Sequence, residues 1–246
     1  MNKYLFESDY SADVLKWMKK LDEKQLSPSP YSKDQSGYNP EDLEKFQNEI
    51  IADGDSALAY FFATEFPYKQ YRMQKVILDK KDPKYAFLFA QNVRNADVKA
   101  LQNLVVDSRK IKYICKFACF VKQADLKPLE NLIVKSKNVK YAHMYLKHVK
   151  TANVEKFKEV ILASKKPRYL FELAKHLRKP EDISLVEDLI IQSCSFTYMR
   201  LFAEKIKQAN IEKLEQAVLD TENSAEIKKF AKYVRRSRMK QFLLVV

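Results

Sequence analysis

The chain has 246 residues, a formal net charge of +13 and only two glycines. Glycine supplies the turns of β-sheets and the loops that hold phosphate groups, so its scarcity disfavours a sheet fold and a nucleotide-binding loop. Three cysteines are too few for a disulfide framework, and no run of about 20 apolar residues predicts a membrane span, so we expect an intracellular protein.

The first forty residues differ from the rest of the chain. Ser11 is a suitable cap for a short amphipathic helix that ends near Leu21, and the proline-rich stretch 27–40 predicts a linker. Asn39 and Pro40 predict the start of the next helix, since proline lacks an amide that a helix leaves unpaired in its first turn. Residues 1–40 are therefore predicted to precede the main fold as a helix and a linker.

Beyond the linker, an apolar dipeptide recurs at steps of 27 to 29 residues. A period in this range is typical of small supersecondary units that stack on copies of themselves, because one unit cannot bury its own apolar face. The dipeptides are Phe62-Ala63, Phe89-Ala90, Phe117-Ala118, Tyr145-Leu146, Leu173-Ala174, Phe202-Ala203 and Phe230-Ala231.

The repeat that begins at Asp82 shows the predicted design. Asp82 caps a first helix, and Pro83 takes its first position. After a short turn, Asp97 caps a second helix that ends near Ser108 with its apolar residues on one face. The caps of later second helices align at Asp125, Asn153, Asp182 and Asn210.

These features predict an all-α protein, an α-solenoid that forms a right-handed superhelix of about six two-helix repeats over residues 41–235. One extra residue between Lys179 and Ser184 predicts a loop insertion. The apolar end Phe242–Val246 predicts a capping segment over residues 236–246, since the open end of a solenoid must be covered. Docking of this segment on a partner is the alternative.

A tyrosine recurs in the first turn of each first helix. A row of exposed rings would stack on nucleic acid bases, an effect of about 1 to 3 kcal/mol per base. Each tyrosine precedes the phenylalanine or its equivalent by four residues, however, so we favour packing between repeats with the hydroxyls at the surface. The tyrosines are Tyr85, Tyr113, Tyr141, Tyr169 and Tyr198.

Two sets of basic residues follow the repeat. The first, which we call the C-terminal basic set, lies at the end of each first helix. A cation there complements the helix macrodipole by about 0.3 to 1 kcal/mol, so we assign this set to stability. It comprises Arg94, Lys122, Lys150, Arg178, Lys207 and Arg235.

The second set, which we call the basic rim, lies where the second helix of one repeat meets the first helix of the next. The helix dipole favours acids there, so folding alone does not explain the cations, whereas phosphate or carboxylate binding would. Cys194, Thr197 and Ala225 replace the basic residues in the last repeats. The basic rim comprises Lys81, Lys84, Arg109, Lys110, Lys112, Lys137, Lys140, Lys165, Lys166 and Arg168.

The net charge is concentrated in the same region. Residues 81–178 contain 22 Lys and Arg against 8 Asp and Glu, whereas residues 41–80 contain 5 against 8. A coding bias toward lysine would raise basicity everywhere, so this concentration favours an anionic partner. With helix layers about 8 to 10 Å apart, four rims predict a basic strip on the order of 30 to 40 Å long, similar to one turn of duplex DNA.

The sequence lacks the patterns of the common enzyme and metal sites. No Walker, GxSxG, HExxH or GxGxxG motif occurs, and His143, His148 and His176 have no cysteine or aspartate at ligand spacing. Cys115 and Cys119 share a helix face, and we interpret the pair as incidental. We therefore predict a non-enzymatic protein with no catalytic residues, no metal and no small-molecule cofactor.

Residues 82–219 follow the pattern Tyr-x-x-x-Phe-Ala, then Lys, Ala-Asn and Leu-Glu at fixed spacing, best seen in 112–126 and 202–214. At this level the chain resembles short two-helix repeats of uncharacterised proteins from bacteriophages and large DNA viruses. The resemblance implies an all-helical solenoid, located in the cytoplasm or a host cytoplasm. It implies no activity.

The leading hypothesis is non-enzymatic binding of a polyanion, above all the nucleic acid backbone without sequence readout, through the basic rim. The logarithm of the affinity should then fall with the logarithm of salt concentration at a slope of roughly −4 to −7. The alternative is a protein-protein adaptor or scaffold whose concave face, built from the second helices, holds a peptide or helix. A third hypothesis, a helical-repeat enzyme acting on DNA, requires acidic and aromatic residues to converge in one concavity.

Overall fold

The structure is a computed structural model that describes residues 40–66 and 69–239, together with Ala12, Lys16, Lys19 and Lys20. These residues form fourteen α-helices and no strand, which confirms the predicted all-α class and its repeat-like architecture. The superhelical winding of a solenoid remains a prediction. Most of the predicted N-terminal helix, the linker, the cap Asn39 and the segment Phe242–Val246 lie outside the described residues.

The chain divides into two compact units, Met1–Leu129 and Glu130–Val246, and the division falls within one helix. The first unit contains α1 (Pro40–Asp53), α2 (Ser56–Glu65), α3 (Gln70–Lys80), α4 (Pro83–Asn92), α5 (Val98–Asp107), α6 (Ile111–Phe120) and the start of α7 (Leu126–Lys135). The second unit continues with α8 (Val139–His148), α9 (Val154–Ser164), α10 (Pro167–Ala174), α11 (Pro180–Gln192), α12 (Phe196–Lys205), α13 (Ile211–Leu219) and α14 (Ser224–Tyr233).

First helices pack on the first helices of neighbouring repeats within each unit. In the first unit α2 contacts α4 and α4 contacts α6, and in the second α8 contacts α10, α10 contacts α12, and α12 contacts α14. The recurring phenylalanines belong to these first helices, and Phe89, Phe117, Phe202 and Phe230 are all buried. Burial of one such ring stabilises the fold by about 1.5 to 3 kcal/mol, so the 28-residue period reflects a repeated core position.

The local predictions for the repeat at Asp82 are confirmed. The Asp82 carboxylate accepts the backbone N–H groups of Lys84 and Tyr85 at 2.9 and 3.3 Å, and Pro83 is the first residue of α4. The Asp97 carboxylate caps α5 by accepting the third amide of that helix at 3.0 Å. Side-chain capping of this kind contributes about 1 kcal/mol per helix.

The second helices carry a polar residue at one equivalent position, and we call this set the polar ladder. In the first unit the Gln74 side-chain oxygen accepts the backbone N–H of Asp97 at 2.8 Å. Gln102 accepts the N–H of Asp125 at 2.8 Å and donates to its carbonyl at 3.0 Å. Backbone groups at the start of the next second helix are thereby satisfied away from water. The polar ladder comprises Gln47, Gln74, Gln102, Glu130, Lys158, Glu187 and Glu215.

Glutamates replace glutamine on the polar ladder in the second unit. The Glu130 carboxylate accepts the hydroxyl of Tyr145 at 3.3 Å and the ammonium of Lys156 at 2.7 Å. This contact explains why tyrosine stands at position 145 where other repeats have phenylalanine, since its hydroxyl supplies a donor to a buried carboxylate. Glu130, Tyr145 and Lys156 therefore act as one group.

Glu187 is less well supplied with hydrogen bonds than the other buried glutamates. Its carboxylate is buried and accepts the backbone N–H of Asn210 at 2.8 Å. Glu215, by comparison, accepts both the Ser237 hydroxyl at 2.6 Å and the Arg238 N–H at 2.7 Å. Burial is the larger influence on Glu187 and raises its pKa above the ordinary value, although the Asn210 hydrogen bond and the Lys213 charge oppose it.

The repeat that contacts Lys158 is irregular. The predictions that Asp182 caps α11 and that residues 179–184 contain a loop insertion are wrong. α11 begins at Pro180, because proline suits the first position of a helix, and the extra residue lengthens the helix instead of a loop. Asp182 lies in the first turn, where its carboxylate accepts the Lys158 ammonium at 3.0 Å. The other Asp182 carboxylate oxygen is buried and has no hydrogen-bond partner among the described residues.

We predict that Glu187→Gln stabilises the protein at pH 7, because it removes a buried charge and keeps an acceptor for Asn210. A raised pKa means that the wild type loses stability as the pH rises above about 4.3 and through the folded-state pKa of Glu187. The variant does not titrate there. Its advantage in urea unfolding should therefore be small at pH 4 and larger at pH 7, and an advantage that shrinks as the pH rises would contradict the assignment.

The reverse exchange, Gln102→Glu, is predicted to destabilise the protein at pH 7. The amide that donates to the Asp125 carbonyl is lost, and an unsatisfied buried acceptor costs about 1 to 3 kcal/mol. The same urea measurement tests it. Equal stability of Gln102→Glu and the wild type would show that the polar ladder does not depend on this hydrogen bond.

Candidate functional site

The second helix of each repeat is joined to the next first helix by a very short junction. One junction residue takes a left-handed conformation, with φ between 49° and 61°, at seven equivalent positions. In the third to sixth of these junctions a serine precedes this residue, and its hydroxyl donates to a carbonyl three residues earlier at 2.6 to 2.7 Å, as Ser108, Ser136, Ser164 and Ser193 show. The left-handed residues are Gly54, Lys81, Arg109, Lys137, Lys165, Cys194 and Glu222.

Only one of the seven left-handed positions holds glycine. Gly54 adopts φ 61° in the first junction, whereas Lys81, Arg109, Lys137 and Lys165 adopt φ 49° to 52° in the next four. A left-handed conformation costs a residue with a Cβ atom roughly 1 to 2 kcal/mol, and glycine is the usual choice at the end of a helix. Basic residues therefore occupy four successive positions that are unfavourable for their backbone.

In the first unit the rim residues form what we call the first basic cluster. Lys81 and Arg109 are the left-handed junction residues before α4 and α6. Lys84 and Lys112 are the second residues of these helices, and Lys110 is the cap of α6. The two helices are neighbours, with the Lys116 ammonium in the middle of α6 5.8 Å from the ring centre of Phe87 in the middle of α4, and the short turns on either side of α5 make them run parallel. Packed helices lie about 8 to 10 Å apart, so the two N-terminal ends are adjacent. The first basic cluster comprises Lys81, Lys84, Arg109, Lys110 and Lys112.

The second basic cluster lies at the equivalent ends of α8 and α10 in the second unit. The rings of His143 in α8 and Tyr169 in α10 have centroids 5.3 Å apart, which places the first turns of these helices side by side. All residues of this cluster are exposed, and in the first cluster Lys84 alone is half-buried. The second basic cluster comprises Lys137, Lys140, Lys165, Lys166 and Arg168.

Most of the rim cations differ from Lys156 and Lys158 in their ion pairing. Lys156 and Lys158, on the second helix α9, pair with carboxylates at 2.7 to 3.0 Å. Within the described residues, eight rim side chains form no ion pair with a carboxylate, and their positive charge is not neutralised by the fold. These eight are Lys81, Arg109, Lys110, Lys137, Lys140, Lys165, Lys166 and Arg168.

The recurring tyrosines lie directly beside the rim and pack between helices as predicted. The Tyr85 ring is buried against Tyr60 at 5.9 Å, and Tyr198 lies 6.1 Å from Phe171. The ammonium of Lys84 lies 4.8 Å from the Tyr85 ring centre, and those of Lys112 and Lys140 lie 5.5 and 5.9 Å from the rings that follow them. These rings hold lysine side chains by cation–π contact, and the buried Tyr85 ring is closed to stacking on a base.

The two helices that form each basic cluster are capped differently at their N-terminal ends. Asp82 and Asn138 cap α4 and α8 with side-chain oxygens, whereas the caps of α6 and α10 are Lys110 and Lys166, which make no side-chain hydrogen bond to the helix. A helix N-terminus carries a partial positive charge. The cations at α6 and α10 therefore add to that charge with no acidic cap to offset it.

His143 lies beside the second basic cluster but adds no charge to it at neutral pH. Burial lowers its pKa; Glu172 opposes that effect, and the charges of Arg168 and Lys147 lower the pKa further. The ring occupies the position of Phe87 and Phe171 in other repeats, as the sequence indicates. Its Nε2 atom is buried with no partner among the described residues.

The C-terminal basic set lies at the opposite ends of the first helices, where its members are exposed. At the last repeat, where the sequence predicts Arg235 at the helix end, the neighbouring Arg236 makes the contacts with helix-end carbonyls. The guanidinium of Arg236, and not that of Arg235, donates to the carbonyls of Ala203, Ile206 and Lys207 at the end of α12, at 2.6 to 2.9 Å. This arrangement satisfies helix-end carbonyls directly.

Comparisons with known proteins identify no family for this chain. No protein-family model matches it, and no curated protein or solved structure is similar to it. Within the described residues, no helix is long and apolar enough to cross a membrane. The fold and the site thus define a class only: an all-helical, repeat-like protein with basic clusters at strained junctions between helices.

We predict that Lys137→Gly and Lys165→Gly each stabilise the protein by roughly 0.5 to 1 kcal/mol. Relief of the left-handed conformation gains about 1 to 2 kcal/mol, and the greater freedom of glycine in the unfolded chain offsets part of this gain. Urea unfolding of each variant tests the prediction. Unchanged or lower stability would show that lysine is not strained at these junctions.

Glu222→Gly is the matched control for this strain. Glu222 has φ 55° at the last junction and lies outside the basic rim, so its replacement should give a similar gain in stability. A gain at position 222 without one at positions 137 and 165 would mean that the lysines make stabilising contacts that the structure does not explain.

Proposed function

We propose that this protein binds a polyanion, above all the nucleic acid backbone, through the first and second basic clusters, and that it does so without catalysis. The observation that carries the proposal is the placement of Lys81, Arg109, Lys137 and Lys165 at left-handed junction residues. Glycine is the residue that this conformation favours, as at Gly54, whereas these four successive positions carry exposed cations. A negatively charged ligand gives these side chains a role that the fold does not.

Three properties of the clusters support phosphate as the group that is bound. All of the side chains but Lys84 are exposed, and eight of the ten have no ion pair among the described residues. They converge on the N-terminal ends of neighbouring parallel helices, where partial positive charge favours an anion. Because lysines and arginines contact phosphates of any sequence, this arrangement favours binding without base readout.

A protein-protein adaptor remains the competing function. Its partner would contact the second helices, on which Lys156 and Lys158 are already engaged with carboxylates. Uncharacterised repeat proteins of bacteriophages and large DNA viruses are the group in which we propose to place the chain, on the sequence pattern alone. Under the adaptor function, neutralising the basic clusters would leave partner binding unchanged.

We predict that a duplex DNA fragment of about 20 base pairs binds with a salt slope between about −4 and −7, which corresponds to roughly five to eight phosphate contacts. Neutralising Arg109, Lys110, Lys165 and Lys166 with glutamine should make the slope shallower by about 3 to 4, since each lost contact removes about 0.9. Fluorescence anisotropy at several salt concentrations measures both. A wild-type slope shallower than −2 would contradict the proposal.

The C-terminal basic set supplies a control with the same change in net charge. The fourfold glutamine variant of Arg94, Lys122, Lys150 and Arg178 removes four cations from the opposite ends of the first helices. It should leave the slope nearly unchanged, apart from a modest loss of stability from the helix dipole. Equal weakening by both variants would show that binding depends on net charge and not on the clusters.

A further inference from the structure

Cys115 and Cys119 form a thiol pair on α6, away from the junctions of the basic rim. Their Sγ atoms lie 4.0 Å apart, and neither residue forms a disulfide. Cys115 is buried, whereas Cys119 is half-buried and gives solvent access to the pair. The sequence shows only that they share a helix face, and the sulfur–sulfur distance adds that the two atoms face each other.

The pair is poorly arranged for a disulfide. Residues four apart on a helix have Cβ atoms about 5 to 6 Å apart, whereas a disulfide requires about 3.5 to 4.5 Å. Oxidation would therefore have to distort α6, which packs against both α4 and α5. The Phe117 ring between the two cysteines in sequence is fully buried and opposes such a movement.

The same distance suits a metal ion held between the two sulfur atoms. Half of 4.0 Å is less than a metal–sulfur bond of about 2.3 Å, so an ion about 1.1 Å from the line between the sulfurs reaches both. Structural zinc needs four ligands, and the described residues contain no group of three or more His, Cys, Asp or Glu that could hold a metal. Thiolates are soft ligands that select Cu(I), an ion that accepts two ligands.

We propose that Cys115 and Cys119 together bind one Cu(I) ion through both sulfur atoms. Two S–H bonds break, two copper–sulfur bonds form, and both protons pass to the solvent, so no electron is transferred. Cys119 is the ligand through which the ion enters, and Cys115 holds it inside the helix layer. This site is independent of the basic clusters, and its failure leaves the proposed polyanion binding untouched.

The test is a titration of the full chain with Cu(I) under anaerobic, reducing conditions in competition with a colorimetric Cu(I) chelator. The wild type should retain one Cu(I) per chain. Loss of a group that only supports a metal ligand lowers metal affinity about 10- to 100-fold. Cys115→Ser and Cys119→Gln each remove a ligand itself, so each should lower the affinity by at least about 100-fold. Glutamine is chosen because Gln91 holds the equivalent position in α4, so Cys119→Gln decides the test if Cys115→Ser fails to fold.

Cys194→Ser is the matched control, since Cys194 is an exposed thiol at a junction in the second unit. It should keep the wild-type affinity and stoichiometry. The proposal is overturned if the wild type does not compete with the chelator, if folded Cys119→Gln keeps its affinity, or if Cys194→Ser loses as much affinity as the other two variants.

Discussion

The short junction of two to four residues between a second helix and the next first helix is the constraint on which the rest of the arrangement depends. One residue near φ 50° reverses the chain, and from the third junction onward the hydroxyl of the preceding serine or threonine donates to a carbonyl of the helix that has just ended. A junction this short cannot vary its path from one repeat to the next. Residues at the junction and in the following turn therefore recur at fixed places, and cations at those positions collect at one end of parallel helices.

The two ends of the repeat have different electrostatic roles. At the start of the second helices, the polar ladder satisfies backbone groups, and Lys156 and Lys158 pair with nearby carboxylates. At the junctions, eight cations have no such partner within the described residues. The exposed cations at the junctions thus differ from Lys156 and Lys158, whose charges are offset by nearby carboxylates.

Much of the fold follows from the sequence, because its strongest signals are local. The Phe-Ala period, the cap Asp82 and the first-turn Pro83 predict the helices correctly, since core position, capping and proline geometry act within one helix. Asp182 is predicted wrongly because its repeat aligns with true caps, whereas Pro180 starts the helix two residues earlier. The Leu-Glu of the repeat pattern marks the position of the polar ladder, but its hydrogen bonds to the next repeat are not foreseen, because glutamine and lysine also occur there.

The sequence predicts only part of the candidate site. The position of the basic rim at first-helix N-termini is predictable from the repeat, and so is the packing of the tyrosines behind it. The left-handed conformation of Lys81, Arg109, Lys137 and Lys165 is not, because lysine and arginine carry no preference for it. Gly54 at the equivalent position is the one signal in the sequence that could have revealed it, since glycine is the residue that such a conformation favours.

Hydrogen exchange of the full chain with and without duplex DNA shows whether the junctions and the first turns that follow them are the surface that binds DNA. Amides in the first turns of α6 and α10 have no side-chain cap and should exchange rapidly in the free protein. We expect DNA to slow exchange at residues 109–113 and at the amides of residues 165, 166, 168 and 169, and to leave the opposite ends of these helices unchanged. Protection confined to the second helices, or to the region around Arg94, Lys122 and Lys150, would contradict this expectation.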